Sequence, residues 1–203
     1  MKRTSVYFLL AAMLLLAAML LLAGCGRGST YVVKSTLKDA RLSSKADTVM
    51  VLNDQLPAAL KAPVADGAFS VRGKVKGAAY SQLSILGGDR RMTRPFIAEK
   101  GTITFQDGLA CGTPLNDETF AFTKRLQGLK DSYSGDELGE AIKKEFLDFI
   151  AKHPADPCAY YAIHLADSRR LPGDFMAEII EAADPAVRKD PDIKNIYKFS
   201  ILR

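Results

Sequence analysis

From Ala68 to Val75 the side chains alternate: Phe69, Val71 and Val75 are apolar, and Ser70, Arg72 and Lys74 lie between them. A period of two sends one set to a core face and the other to water, so the stretch predicts a half-buried strand entered through the Asp66-Gly67 turn. Tyr31 to Leu37 and Thr48 to Leu52 are rich in β-branched residues and predict two earlier strands. Gln82 to Leu86, Arg94 to Ala98 and Thr102 to Phe105 predict three more, with Pro95 placing the fifth at a sheet edge. Glycine, asparagine and aspartate separate them. Short strands at this spacing predict a small antiparallel β-sandwich over residues 31–110.

After residue 110 the period changes. Leu115, Phe122, Leu126 and Leu129 fall on one helical face behind Pro114, which suits a first helical position. The preceding stretch, Gly108 to Asn116, turns strand into helix: the glycines release the strand, Thr113 or Asn116 caps, and Cys111 packs in the turn. Loss of the Asn116 side chain as a cap is expected to cost about 1 kcal/mol. Ser134 and Glu137 have the spacing of a capping box, ahead of a stripe of Leu138, Ala141, Ile142, Phe146, Phe149 and Ile150. Asp156-Pro157, Asp184-Pro185 and Asp190-Pro191 each predict a helix start, and Asp174 opens another helix between them. These Asp-Pro pairs are 28 and then 6 residues apart, which is no solenoid period. The class is therefore α+β: a small antiparallel sandwich, then a cluster of short helices over residues 111–203.

The amino terminus has its own logic. Lys2 and Arg3 precede a charge-free apolar run from Val6 to Gly24. Such a run suits a secretory signal, and it is also long enough for an uncleaved anchor. Leu22-Ala23-Gly24-Cys25 resembles a bacterial lipobox, which decides for the signal. The small Ala23 and Gly24 let a peptidase reach the bond between Gly24 and Cys25, and the Cys25 thiol takes the lipid. Residues 1–24 are then a lipoprotein signal peptide and 25–30 a lipidated tether. Gly26 after the cysteine favours the outer membrane, facing the periplasm.

Charge narrows the functions. The formal net charge is +5, and removal of residues 1–24 takes away two cations and no acid, leaving 26 − 23 = +3. So mild and dispersed a charge argues against nucleic acid as a partner. No Gly-x-Ser-x-Gly elbow and no glycine-rich phosphate loop occur. Asp136, Glu137, Glu140 and Asp148 lie on a helix that shows its charges to water, so no catalytic carboxylate pair is expected. Arg90, Arg91 and Arg94 form either a charged hairpin rim or an anion contact. His153 and His164 with Cys158 have zinc-ligand residue types without a recognised zinc spacing, so no metal and no cofactor are expected. Cys111 and Cys158 leave three readings: two separate buried thiols, a disulfide across 47 positions, or a redox pair. Cys158 stands just inside a helix start, where the dipole favours a thiolate.

Three strings together resemble a known domain: Asp66 to Val75, Gly112-Thr113-Pro114-Leu115-Asn116-Asp117, and Phe149 to Pro154. They are similar to the amino-terminal domain of unknown function in lipid-anchored thiol–disulfide interchange proteins of bacteria. In that family a thioredoxin-like domain with a Cys-x-x-Cys pair follows. This sequence has no Cys-x-x-Cys, so the resemblance assigns no catalytic residue. It implies a non-catalytic interaction or scaffold module in the cell envelope, working with a thioredoxin-like partner. Two alternatives stand beside it: the front half of a thiol–disulfide oxidoreductase, or an envelope lipoprotein that binds a small ligand or glycan in the sandwich.

Overall fold

A computed structural model describes residues 28–86 and 92–202. The signal peptide with Gly24, residues 25–27 of the tether with Cys25, and Arg90 and Arg91 lie outside the described residues, while Ser29 and Thr30 of the expected tether already belong to the first strand. No helix among the described residues is long and apolar enough to cross a membrane.

Eight strands come first: β1 (Ser29–Thr36), β2 (Thr48–Leu52), β3 (Leu60–Pro63), β4 (Ala68–Val75), β5 (Ala79–Leu86), β6 (Thr93–Ala98), β7 (Gly101–Gln106) and β8 (Leu109–Cys111). Six helices follow: α1 (Pro114–Ser132), α2 (Gly135–Lys152), α3 (Pro157–Ser168), α4 (Gly173–Glu181), α5 (Pro185–Lys189) and α6 (Pro191–Ser200). The α+β class holds, with strands first and helices after. Two strands, β3 and β8, go beyond the six expected; both are too short to show a period. The strands form two four-stranded sheets, ordered β4-β1-β7-β8 and β3-β2-β5-β6. The pairing is antiparallel throughout except β1 with β7, which run parallel with Tyr31 opposite Gly101. A sandwich read from local turns could not show that pair, because 70 residues separate Tyr31 from its partner Gly101, and so distant a pairing leaves no local signal.

In β4 the alternation is realised: Phe69, Val71, Gly73 and Val75 face inward and their neighbours face water. The sandwich core joins Tyr31, Val33, Val49, Val51, Leu83, Phe96, Ile103 and Phe105 from both sheets. The helices have a second core. Phe122 stacks on Phe149 at 4.0 Å between centroids and meets Phe146 edge-on at 5.1 Å. Ile150, Ile163, Met176 and Ile179 complete it, and Ile97 of β6 enters it from the sheet. β6 is an edge strand, as Pro95 suggests, and α1 and α3 pack against it. This seam joins the two cores.

The Asp-Pro starts work as caps. Asp156, Asp184 and Asp190 accept the backbone N–H of Cys158, Ala186 and Asp192 at 2.7, 2.7 and 2.8 Å. The capping box at Ser134 does not form; its hydroxyl makes no capping bond, and Gly135 beside it takes φ 56°, off the regular cap geometry.

Candidate functional site

The Gly112 to Asp117 string is a joint between the two cores. Thr113 stands at the N-cap of α1, but its hydroxyl caps nothing. The Glu99 carboxylate caps instead, accepting the N–H of Leu115 at 2.8 Å and of Asn116 at 3.3 Å. Glu99 precedes the helix by fifteen positions, so no local pattern announces it. Asn116 is wholly buried and behaves like a missing strand. Its Oδ1 accepts the Ile97 N–H at 2.9 Å, and its Nδ2 donates to the Ile97 carbonyl at 2.7 Å and to Thr113 Oγ1 at 2.7 Å. The free edge of β6 is thereby satisfied by a side chain. Asn116 is therefore not a cap, contrary to the sequence expectation. Asp117 accepts the Gly112 N–H at 2.7 Å. Gly112 has φ 93°, and a Cβ there would lie 2.9 Å from the Thr102 carbonyl oxygen, so the position requires glycine.

The two cysteines are free thiols, and the bridge left open by the sequence is not formed. Cys111 ends β8, half-buried, with Sγ 3.4 Å from Thr104 Oγ1. Cys158 is fully buried in the helical core. Burial, and then the Asp156 carboxylate beside it, push its thiol well above the usual range. The helix dipole that favours a thiolate at this start is outweighed by desolvation and by the neighbouring anion.

His153 and Cys158 do come together, with Asp156 between them: their ligand atoms lie within 4.8 Å of one another. His164 is elsewhere, so the two histidines cannot share one ion with Cys158. The trio is already occupied by its own bonds. Asp156 Oδ2 lies 2.8 Å from His153 Nδ1 while Oδ1 caps α3. These bonds lock the end of α2 to the start of α3.

Arg94 is also spent on structure. It donates to the Ala40 carbonyl at 2.8 Å and the Arg41 carbonyl at 2.6 Å, holding the loop after β1. Asp136, Glu137 and Glu140 are exposed, and Asp148 pairs with Lys144 at 2.5 Å.

The open chemistry lies in the seam. Tyr80 of β5 stacks flat on His164 of α3, 4.5 Å between centroids and 5° between planes. His164 Nε2 lies 3.2 Å from Asp192 at the start of α6. Burial lowers the His164 pKa, and it outweighs Asp192, whose side chain is 67% exposed. Beside the stack lie two cavities of about 410 and 270 Å³ that share Asp54, Tyr80 and Asp192. The larger adds Leu52, Leu56 and Ala58; the smaller adds Tyr160, His164 and Asp190. Burial and Asp190 raise the Tyr160 pKa, so both tyrosines stay neutral. No Lys or Arg lines either cavity among the described residues. Sequence reasoning missed this cleft. Its carboxylates and aromatics come from β5, α3, the start of α6 and the loop after β2, and none forms a motif. Comparison with protein-family models, curated proteins and solved structures finds no match to the chain.

Proposed function

We propose that the chain is a lipid-anchored cell-envelope protein whose folded part is a non-catalytic interaction module. The lipobox ending at Cys25 supports the anchor. The observation that carries the module reading is the placement of the thiols. Cys158 is buried and keeps its proton, and Cys111 ends a strand against Thr104. The groups that a thiol–disulfide reaction would need are built into the fold. The thioredoxin-like partner rests on the resemblance of the 66–75, 112–117 and 149–154 strings. The anchor is tested by fractionation: the natural protein should pellet with membranes and incorporate labelled fatty acid, and Cys25→Ser should do neither. Labelled lipid on the Cys25→Ser protein would refute it. The partner is tested by capture from detergent-solubilised membranes, where a thioredoxin-like protein should be enriched. Disulfide-reductase turnover by the chain alone would overturn the non-catalytic reading.

A second reading, an envelope lipoprotein that binds a small ligand, is favoured by the seam cleft. Its location differs from the one first expected, since the recess lies between sheet and helices rather than within the sandwich. Tyr80 and His164 supply the aromatic platform that the sequence does not display.

A further inference from the structure

We propose that the seam cleft binds a protonated amine on an aliphatic stem, either a free alkyl diamine or a lysine side chain. The inference rests on the small-ligand reading and names the ligand's chemistry.

Charge is the first argument. Asp54, Asp190 and Asp192 line the cleft, in a chain whose net charge is +5. His164 is the one basic side chain among the lining residues, and burial keeps its ring neutral, so it does not cancel Asp192. Asp54 makes no hydrogen bond or ion pair among the described residues. Asp190 is engaged in capping α6 and Asp192 sits beside His164, so Asp54 is the carboxylate of the cleft left to meet a bound cation, with Asp192 open to water beside it. An anion is disfavoured by the same carboxylates.

The walls supply the second argument. Tyr80 and Tyr160 present aromatic rings, whose faces attract ammonium groups within about 6 Å. Leu52, Leu56 and Ala58 give the larger cavity an apolar side, and Leu52 is 41% exposed there. An aliphatic stem covers that surface while its charged end meets the carboxylates. The two cavities meet at Asp54, Tyr80 and Asp192, so a stem can run from one into the other. Their volumes are those of small-molecule sites, about 300–1,000 Å³ taken together.

The test is titration calorimetry on the full chain in a neutral detergent. The probes are 1,5-diaminopentane, Nα-acetyl-lysine amide, hexanoate and glucose. The amines should bind with a Kd below about 1 mM, and binding should weaken with added salt. Hexanoate should not bind. Tighter binding of the lysine derivative identifies a peptide side chain as the source; tighter binding of the diamine identifies a free amine. Asp54→Asn should weaken amine binding about tenfold, as loss of a charged partner does. Asp54 is exposed and holds nothing in place, so this variant should fold with an unchanged melting curve. The proposal is overturned if neither amine binds, if Asp54→Asn and Asp192→Asn both bind as the parent does, or if glucose binds and the amines do not. Failure here leaves the membrane anchor untouched, since that is read separately from fractionation of Cys25→Ser.

Discussion

Replacing Asn116 by alanine tests whether the joint between sheet and helices carries stability. The side chain is wholly buried and is bonded to both backbone groups of Ile97, which is itself fully buried. Truncation leaves that N–H and that carbonyl without a partner. Each buried orphan costs about 1–3 kcal/mol, so the pair predicts a loss of about 2–6 kcal/mol. A lost cap would cost only about 1 kcal/mol. The two magnitudes separate the roles. For a chain of this size that loss corresponds to a fall in Tm of roughly 4–24 °C. Urea unfolding followed by circular dichroism gives the free energy, and hydrogen exchange reads the Ile97 amide directly. Asn116→Asp is the companion variant. It keeps the acceptor for the Ile97 N–H but turns a second oxygen toward the Ile97 carbonyl and Glu99. At neutral pH it should destabilise at least as much as alanine does. A loss under 1 kcal/mol for alanine, with the Ile97 amide still protected, would refute the strand-mimic account.

Three further outcomes follow from the same structure. Tyr31 is fully buried and its hydroxyl has no hydrogen-bond partner, so Tyr31→Phe should raise stability by about 1 kcal/mol in urea unfolding; a loss would mean that the hydroxyl is bonded. In the folded protein a bulky thiol reagent should label Cys111 well before Cys158, whose labelling should keep pace with global unfolding; rapid modification of Cys158 would contradict its burial. The His164 pKa is lowered from 6.5, so the fold favours the neutral ring. Its contribution is then full above about pH 6.5 and is lost as pH falls below that value toward the folded pKa. Melting curves between about pH 7.5 and 5.5 should slope less in His164→Gln than in the parent; equal slopes would count against it.

Legibility in this sequence follows the range of the interaction. Elements set by neighbours are readable: the alternation of Phe69, Val71 and Val75 gives β4, and the Asp-Pro pairs give the caps of α3, α5 and α6. A carboxylate two residues before the amide it accepts needs nothing from the rest of the chain. The Gly112 to Asp117 string is readable as a turn but not as a joint, because its partners, Ile97, Glu99 and Thr102, come from β6, the link after it and β7. That is why a cap is the natural expectation for Asn116 and a strand mimic is what forms. Cys158 shows the same limit in electrostatics. Its position at a helix start is local and argues for a thiolate, whereas its burial is a property of the assembled core and decides the opposite.

The cleft stands furthest from local pattern. Asp54, Tyr80, Tyr160, His164, Asp190 and Asp192 lie in four stretches of chain, and the spacing within each is ordinary. Asp190 and Asp192 fall inside a cap-and-proline signature that is fully explained as a helix start. Tyr80 lies in an apolar strand and His164 within a helix, and neither is distinctive until the sheet and helices close on each other. The joint at Asn116 holds α1 against β6, and α3 packs beside it on β5 and β6. Tyr80 and His164 are stacked across that same packing. Loosening the joint should therefore disturb the cleft although Asn116 does not line it. Asn116→Ala should weaken amine binding as well as stability, with Asp54→Asn affecting binding alone. If the alanine variant, still folded at low temperature, bound amines as the parent does, the cleft would owe nothing to the joint.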